Sequence, residues 1–221
     1  MNAALVALGA GLAAGLYIVG LSLDLFWLKL LSKPWPVLGL AFAVARLTGT
    51  GPARRIAAGL VAGAVGDICL VLPGAFLPGM GAFALGHAFY VAAFLRWNSS
   101  PALPLLLPVV IFCGAGLALM LPGSGAMAMP LAVYVLVIGA MLWRAAACAA
   151  NPREDALARW GFLAGALLFS TSDFLIGMNR FLQPMPGTAV PIILSYWAGQ
   201  ALIATGAVRL DAARREQITL R

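Results

Sequence analysis

The stretch Gly59–Phe94, GLVAGAVGDICLVLPGAFLPGMGAFALGHAFYVAAF, decides how the chain is read. Two apolar runs flank a break rich in Pro and Gly, and each run extends far enough past the stretch to cross a bilayer as a helix of roughly 20 residues. Asp67 lies inside the first run. His87, the only histidine, and Tyr90 lie inside the second, three residues apart and so on one helix face. Ionisable groups in hydrocarbon are costly and rare, and they face the protein interior or a wet cavity. Their partners must therefore come from the rest of the chain.

Composition agrees with a membrane reading. The chain has 221 residues, 63% hydrophobic and 10% charged, and a mean hydropathy of +0.99. A soluble domain carries about 25% charged residues. The expected fold is all-α and polytopic. A β-barrel is excluded, because barrels alternate apolar and polar residues and this chain has long continuous apolar runs. The net charge of +7 would suggest nucleic acid in a soluble protein; here it reads as loop charge that orients the spans, with no nucleic-acid partner. Cys69, Cys113 and Cys148 fall inside apolar runs. They read as reduced packing residues, without the spacing of a metal site. The start lacks a basic leader segment, so no cleaved signal peptide is expected.

Eight transmembrane helices are expected, over about Asn2–Leu23, Pro34–Leu47, Ile56–Leu72, Met80–Trp97, Leu103–Leu121, Met127–Ala149, Ala156–Met178 and Val190–Leu210. A short amphipathic link with Asp24, Lys29 and Lys33 precedes the second, and TGTGPARR forms a loop before the third. Residues 1–210 form one transmembrane domain, and residues 211–221 a polar cytoplasmic tail with a frayed helical end. The basic residues test this count. With the amino terminus cytoplasmic, Arg46, Arg54, Arg55, Arg96, Arg144, Arg153, Arg159, Arg209, Arg214, Arg215 and Arg221 fall inside, and only Lys29, Lys33 and Arg180 outside. That asymmetry implies both termini cytoplasmic and a multi-pass protein of the cell (inner) membrane.

The orientation sets depths. Asp67 follows Arg54 by 13 residues and Asp173 follows Arg159 by 14, so at about 1.5 Å per residue both reach the outer half of the bilayer. His87, Tyr196, Gln200 and Lys33 come to the same layer from other helices. The faces agree too. Gly59, Gly63 and Asp67 share one stripe, and Gly161, Gly165, Phe169 and Asp173 another; small residues at such spacing let membrane helices approach closely. VAGAVGDICL and GALLFSTSDFL suggest a weak internal repeat. Tyr134 reads equally as a cavity-lining or a packing residue. Trp35, Trp97 and Trp143 read as interfacial anchors, and Trp197 as a cavity wall.

Structural hydrogen bonding explains any one of these groups, but not so many in one layer. Two carboxylates in a water-poor site can divide the roles of general acid and general base, with water as nucleophile. Ser170, Ser172 and Ser195 lack a nucleophile-elbow context. A zinc site from Asp67, His87 and Asp173 lacks a further histidine or cysteine, so no metal or other cofactor is expected. A proton-coupled transporter of a small amphiphile is the alternative, since transporters also place aspartates at depth. An intramembrane aspartyl protease ranks lower for want of a GxGD segment, and a lipid-binding scaffold is the last option.

Several blocks carry a resemblance. GDICLVLP followed by GAFALGHAFYVAAF, then GALLFSTSDFLIGMNRF and SYWAGQALIATG, resemble the YhhN/TMEM86 family of multispanning lysoplasmalogenases. KPWP and AVYVLVIGAM fit the same pattern, so the likeness runs through nearly the whole chain in order. The resemblance implies an eight-helix hydrolase that cleaves the vinyl ether of lysoplasmalogens to a fatty aldehyde and a glycerophospho-alcohol. Its partners would be the lysophospholipid substrate and membrane lipids. It implies a catalytic pair at Asp67 and Asp173. Lys33, His87, Tyr90, Tyr134, Asn179, Tyr196 and Gln200 would surround the pair to orient substrate and water, and Arg180, with Lys33, is a candidate for the phosphate.

Overall fold

The computed structural model describes residues 3–219, with side-chain surroundings over 5–216. The expected first-helix start at Asn2 and the basic Arg221 lie outside the described residues. Among the described residues nine α-helices follow in order: α1 Ala3–Ser22, α2 Phe26–Ser32, α3 Trp35–Leu47, α4 Gly51–Val71, α5 Phe76–Trp97, α6 Leu106–Met120, α7 Ala128–Ala149, α8 Ala156–Phe181 and α9 Ala189–Thr219. Among the described residues there is no strand.

Among the described residues seven segments are long and apolar enough to cross a membrane. The eighth expected span is α4, whose hydropathy is lowered by Arg54, Arg55 and Asp67 although its 21 residues suffice in length. The second span differs from expectation. The amphipathic link is itself helical: α2 and α3 run together over Phe26–Leu47 as one segment, interrupted at Lys33 and Pro34. Lys29 reaches back to Asp24 at 2.6 Å, so the charge near the start of the span sits at its edge. The loop expected over TGTGPARR is shorter than read, because Pro52 occupies the first turn of α4, where its missing N–H costs nothing. Gly74, at φ +75°, makes the turn into α5, a backbone region open to glycine.

Helix pairing follows the small-residue stripes. A Cβ on Gly59 would lie 2.9 Å from the Gly86 carbonyl, and one on Gly165 2.7 Å from the Gly199 carbonyl. So α4 closes on α5, and α8 on α9, backbone to backbone. An aromatic core fills the centre, with Phe83 edge-on to Phe169 and Tyr196, and Phe94 against Phe162. Trp97 belongs to it rather than to an interface: it is buried and stacks on Phe162 at 4.9 Å. Trp35 is exposed, as an interfacial anchor would be. By contrast α6 presents most of its surface outward and buries only Gly116 and Met120.

The tail does not break from the bundle. α9 continues through Leu210, and Asp211 is buried, accepting hydrogen bonds from the Gly49 and Thr50 amides at 3.3 and 3.2 Å ahead of α4. At the same end Asp155 caps α8 through the Ala158 amide and pairs with Arg209. Arg144 is buried and donates to the Asn98 and Ser100 carbonyls. These ties fix one end of the bundle beneath the polar layer.

Candidate active site

Each aspartate sits eight residues after a contact glycine, Asp67 after Gly59 and Asp173 after Gly165. The helix crossings therefore aim both carboxylates at the bundle axis, roughly two turns from the closest approach. Tyr196 on α9 donates to Asp67 Oδ2 at 2.9 Å, and Lys33 Nζ lies 3.5 Å from Oδ1. His87 Nε2 on α5 lies 3.0 Å from Asp173 Oδ2, with the Tyr134 hydroxyl of α7 at 3.4 Å from the same nitrogen. The His87 ring also packs on Phe169 at 4.4 Å. Six helical segments thus meet in one polar layer, and all six of these side chains are buried.

The supports are exchanged between the two helix pairs. Asp67 of the α4–α5 pair is held by Tyr196 of α9, while Asp173 of the α8–α9 pair is held by His87 of α5. Phe83 and Tyr196, each three residues before a contact glycine, meet edge to face at 5.7 Å. The glycine spacing of the two aspartate helices thus has a counterpart on their partner helices. Two pairs wired in this way hold each other in register, since Asp67 loses Tyr196 and Asp173 loses His87 if the pairs separate.

Two cavities adjoin this layer. The smaller, about 220 Å³ with its open side included, is lined by Lys33, Asp67, Ser172, Asp173 and Tyr196 with Phe83 and a few aliphatic residues. The larger, about 680 Å³ with its open mouth included, lies among α5, α6, α7 and α8 and is almost wholly apolar. Leu70, Phe83, Asp173 and Ile176 belong to both walls. Asp173 is thus the one carboxylate that faces both spaces, while Asp67 faces only the polar one. Tyr134 resolves as a lining residue of the larger cavity.

The remaining residues singled out in the sequence stand around this centre. Tyr90 donates to Gln200 Oε1 at 2.6 Å, and both are fully buried. This bond bridges α5 and α9 and lines neither cavity. Gln200 Nε2 and the Tyr196 hydroxyl both face Gly63, whose missing side chain leaves room for them. Asn179 ties the turn between α8 and α9, donating to Leu175 O and Thr188 Oγ1 and accepting from the Met185 amide. Arg180 is exposed, with its guanidinium 5.3 Å from the Phe76 ring at the rim of the larger cavity. Trp197 packs on Tyr17 at 5.7 Å and lines neither cavity.

Sequence reading missed two groups. Ser172 lines the polar cavity while its hydroxyl donates to the Ile192 carbonyl. Ser170 lines the larger cavity, and its buried hydroxyl has no hydrogen-bond partner among the described residues. The signal was present, since Ser170 precedes Asp173 by three residues and shares its face.

Comparison with known proteins agrees with the resemblance. The YhhN family model matches residues 28–207. The human lysoplasmalogenase TMEM86B is 40% identical over 189 residues, covering 84% of this chain and 78% of that protein. Human lysoplasmalogenase TMEM86A is 39% identical over 189 residues, covering 82% and 73%. A Mycobacterium bovis lysoplasmalogenase is 31% identical over 217 residues, covering 89% and 80%. No solved structure matches the chain.

Proposed function

The chain belongs to the YhhN family, and from that premise we propose that it is an ether-cleaving membrane hydrolase acting on the vinyl ether of lysoplasmalogens. One observation carries the mechanism: two buried carboxylates line a single small cavity, each held by different partners.

Asp173, in contact with His87, delivers a proton to the alkenyl carbon that is β to the ether oxygen. The C=C π pair forms the new C–H bond and leaves an oxocarbenium ion. Asp67, fixed by Lys33 and Tyr196, faces that cation as the counter-charge and takes a proton from the attacking water. The resulting hemiacetal breaks its C–O bond to give the fatty aldehyde and the glycerophospho-alcohol. The proton gained from water passes to the departing oxygen, and Asp173 regains the proton lost by the hemiacetal hydroxyl. Water is the only co-reactant. Tyr134 and His87 hold Asp173 in place, and Lys33 borders the polar cavity where a glycerophosphate would sit.

The reading includes an orientation. With both termini cytoplasmic, as the basic residues imply, residues 1–210 form one unit in the cell membrane and the site opens in its outer half. The test is aldehyde release from an alkenyl lysophospholipid by purified protein in detergent. Asp67→Asn and Asp173→Asn should each lower turnover by about 10²–10⁴-fold while the protein stays folded. Full activity in both folded variants defeats the paired-carboxylate mechanism. Solute flux in liposomes without aldehyde release would favour a transporter instead.

A further inference from the structure

The larger cavity stands out in a bundle that elsewhere closes tightly. Where α4 meets α5 and α8 meets α9, backbones touch through glycine. Between α6, α7 and α8 the packing instead leaves an apolar pocket open at one side, about 680 Å³ with its mouth included. Its lining is aliphatic and aromatic, and its few polar groups are Tyr134, Ser170, Asp173 and the Cys113 thiol. An apolar void forfeits contacts all along its wall, so a persistent one calls for an apolar occupant. The cavity reaches the lipid-facing surface at Phe112, which is 50% exposed. It joins the polar cavity through the four shared residues that include Asp173.

We propose that this chamber is the site of the substrate's single hydrocarbon chain, and that Gly116 on α6 and Val135 on α7 set the chain length it accepts. The proposal rests on the lysoplasmalogenase reading. A chain laid along α6 and α7 brings its first carbons beside Asp173, with the glycerol end on the Lys33 side of the shared wall. Leaving the bilayer for an apolar chamber gains the chain little hydrophobic free energy. The chamber therefore acts by positioning the alkenyl carbons rather than by raising affinity. A side chain on Gly116 would meet the Phe174 ring, the first Cβ contact already lying at 3.3 Å, and larger groups fill the chamber.

Two measurements test this. The first compares hexadecenyl and hexenyl lysolipids as substrates of wild type, Gly116→Leu and Val135→Trp. Each variant should lose about 10–100-fold in kcat/KM on the long chain and keep its rate on the short one. An unchanged long-to-short ratio in both variants overturns the assignment. The second needs no turnover. A saturated ether lysophospholipid with a diazirine at the chain terminus is photolysed on the wild-type protein, and the labelled peptides are identified. Labels on α6 and α7 residues of the chamber support the proposal. Labels only on outward-facing positions, or equal chamber labelling by a diacyl phospholipid bearing the same group, overturn it. Chamber labelling by a protein that releases no aldehyde would leave the chain site standing and remove the hydrolase reading.

Discussion

Gly199→Ala is the sharpest probe of how the site is held. A methyl group at Gly199 would lie 2.7 Å from the Gly165 carbonyl oxygen and 2.9 Å from the Phe169 amide nitrogen, where ordinary contact begins at 3.4 Å. Both obstacles are backbone, so no side-chain rotation relieves them. The pair α8–α9 must open by about 0.7 Å at the crossing, the difference between 3.4 and 2.7 Å. Overpacking of this kind costs about 1–3 kcal/mol. The movement also carries Tyr196, one turn away on the same helix, relative to Asp67 and its 2.9 Å hydrogen bond. A misplacement approaching 1 Å can cost about 10²-fold in rate, so activity should fall further than stability. The assay pairs thermal unfolding in detergent with aldehyde release. Gly114→Ala is the control, since nothing lies within 4 Å of a Cβ there. Gly165→Ala opens the same crossing from the other side, so the double variant should lose less than the sum of the two singles. If Gly199→Ala matches Gly114→Ala in both melting temperature and turnover, the helices do not meet as described and the argument fails.

Lys33→Met should destabilise the protein by about 3–5 kcal/mol, because it strands the buried Asp67 carboxylate. Lys29→Met should leave stability within error, since its partner Asp24 is open to solvent; equal losses in denaturation curves would contradict the difference in burial. Asp211→Ala removes the acceptor for the Gly49 and Thr50 amides and should cost about 1–3 kcal/mol, with turnover of the folded fraction unchanged. Asp155 is held below the usual carboxylate range, first by its hydrogen bond from Arg209 and then by the Ala158 amide. Its contribution is complete above the unfolded value of about 3.9 and is lost as pH falls through the lower folded value. Unfolding measured between neutral and acidic pH should therefore lose part of its acid sensitivity in Asp155→Asn, and an unchanged profile would count against the pairing.

The sequence by itself determined the class and pointed to most residues of the buried polar layer. Continuous apolar runs leave helices as the way to satisfy the backbone in a bilayer, so an all-α, multi-span fold was legible from hydropathy. An aspartate on a small-residue stripe must face protein, so Asp67 and Asp173 were legible, and the depth argument drew His87, Tyr196 and Lys33 to them. Helix ends were less so. Pro52 in the first turn of α4 and the helical link Phe26–Ser32 depend on what those residues pack against. Only the tertiary structure decided which partner each carboxylate takes. His87 to Asp173 and Tyr196 to Asp67 are pairings across 86 and 129 residues, set by how the two helix pairs are placed against each other, which no local pattern encodes. The same holds for Asp211, which reads as part of a polar tail but is buried beneath α4. The apolar chamber is likewise a property of how far α6 stands from α8, since a void is the absence of contact between elements and leaves no mark on either sequence.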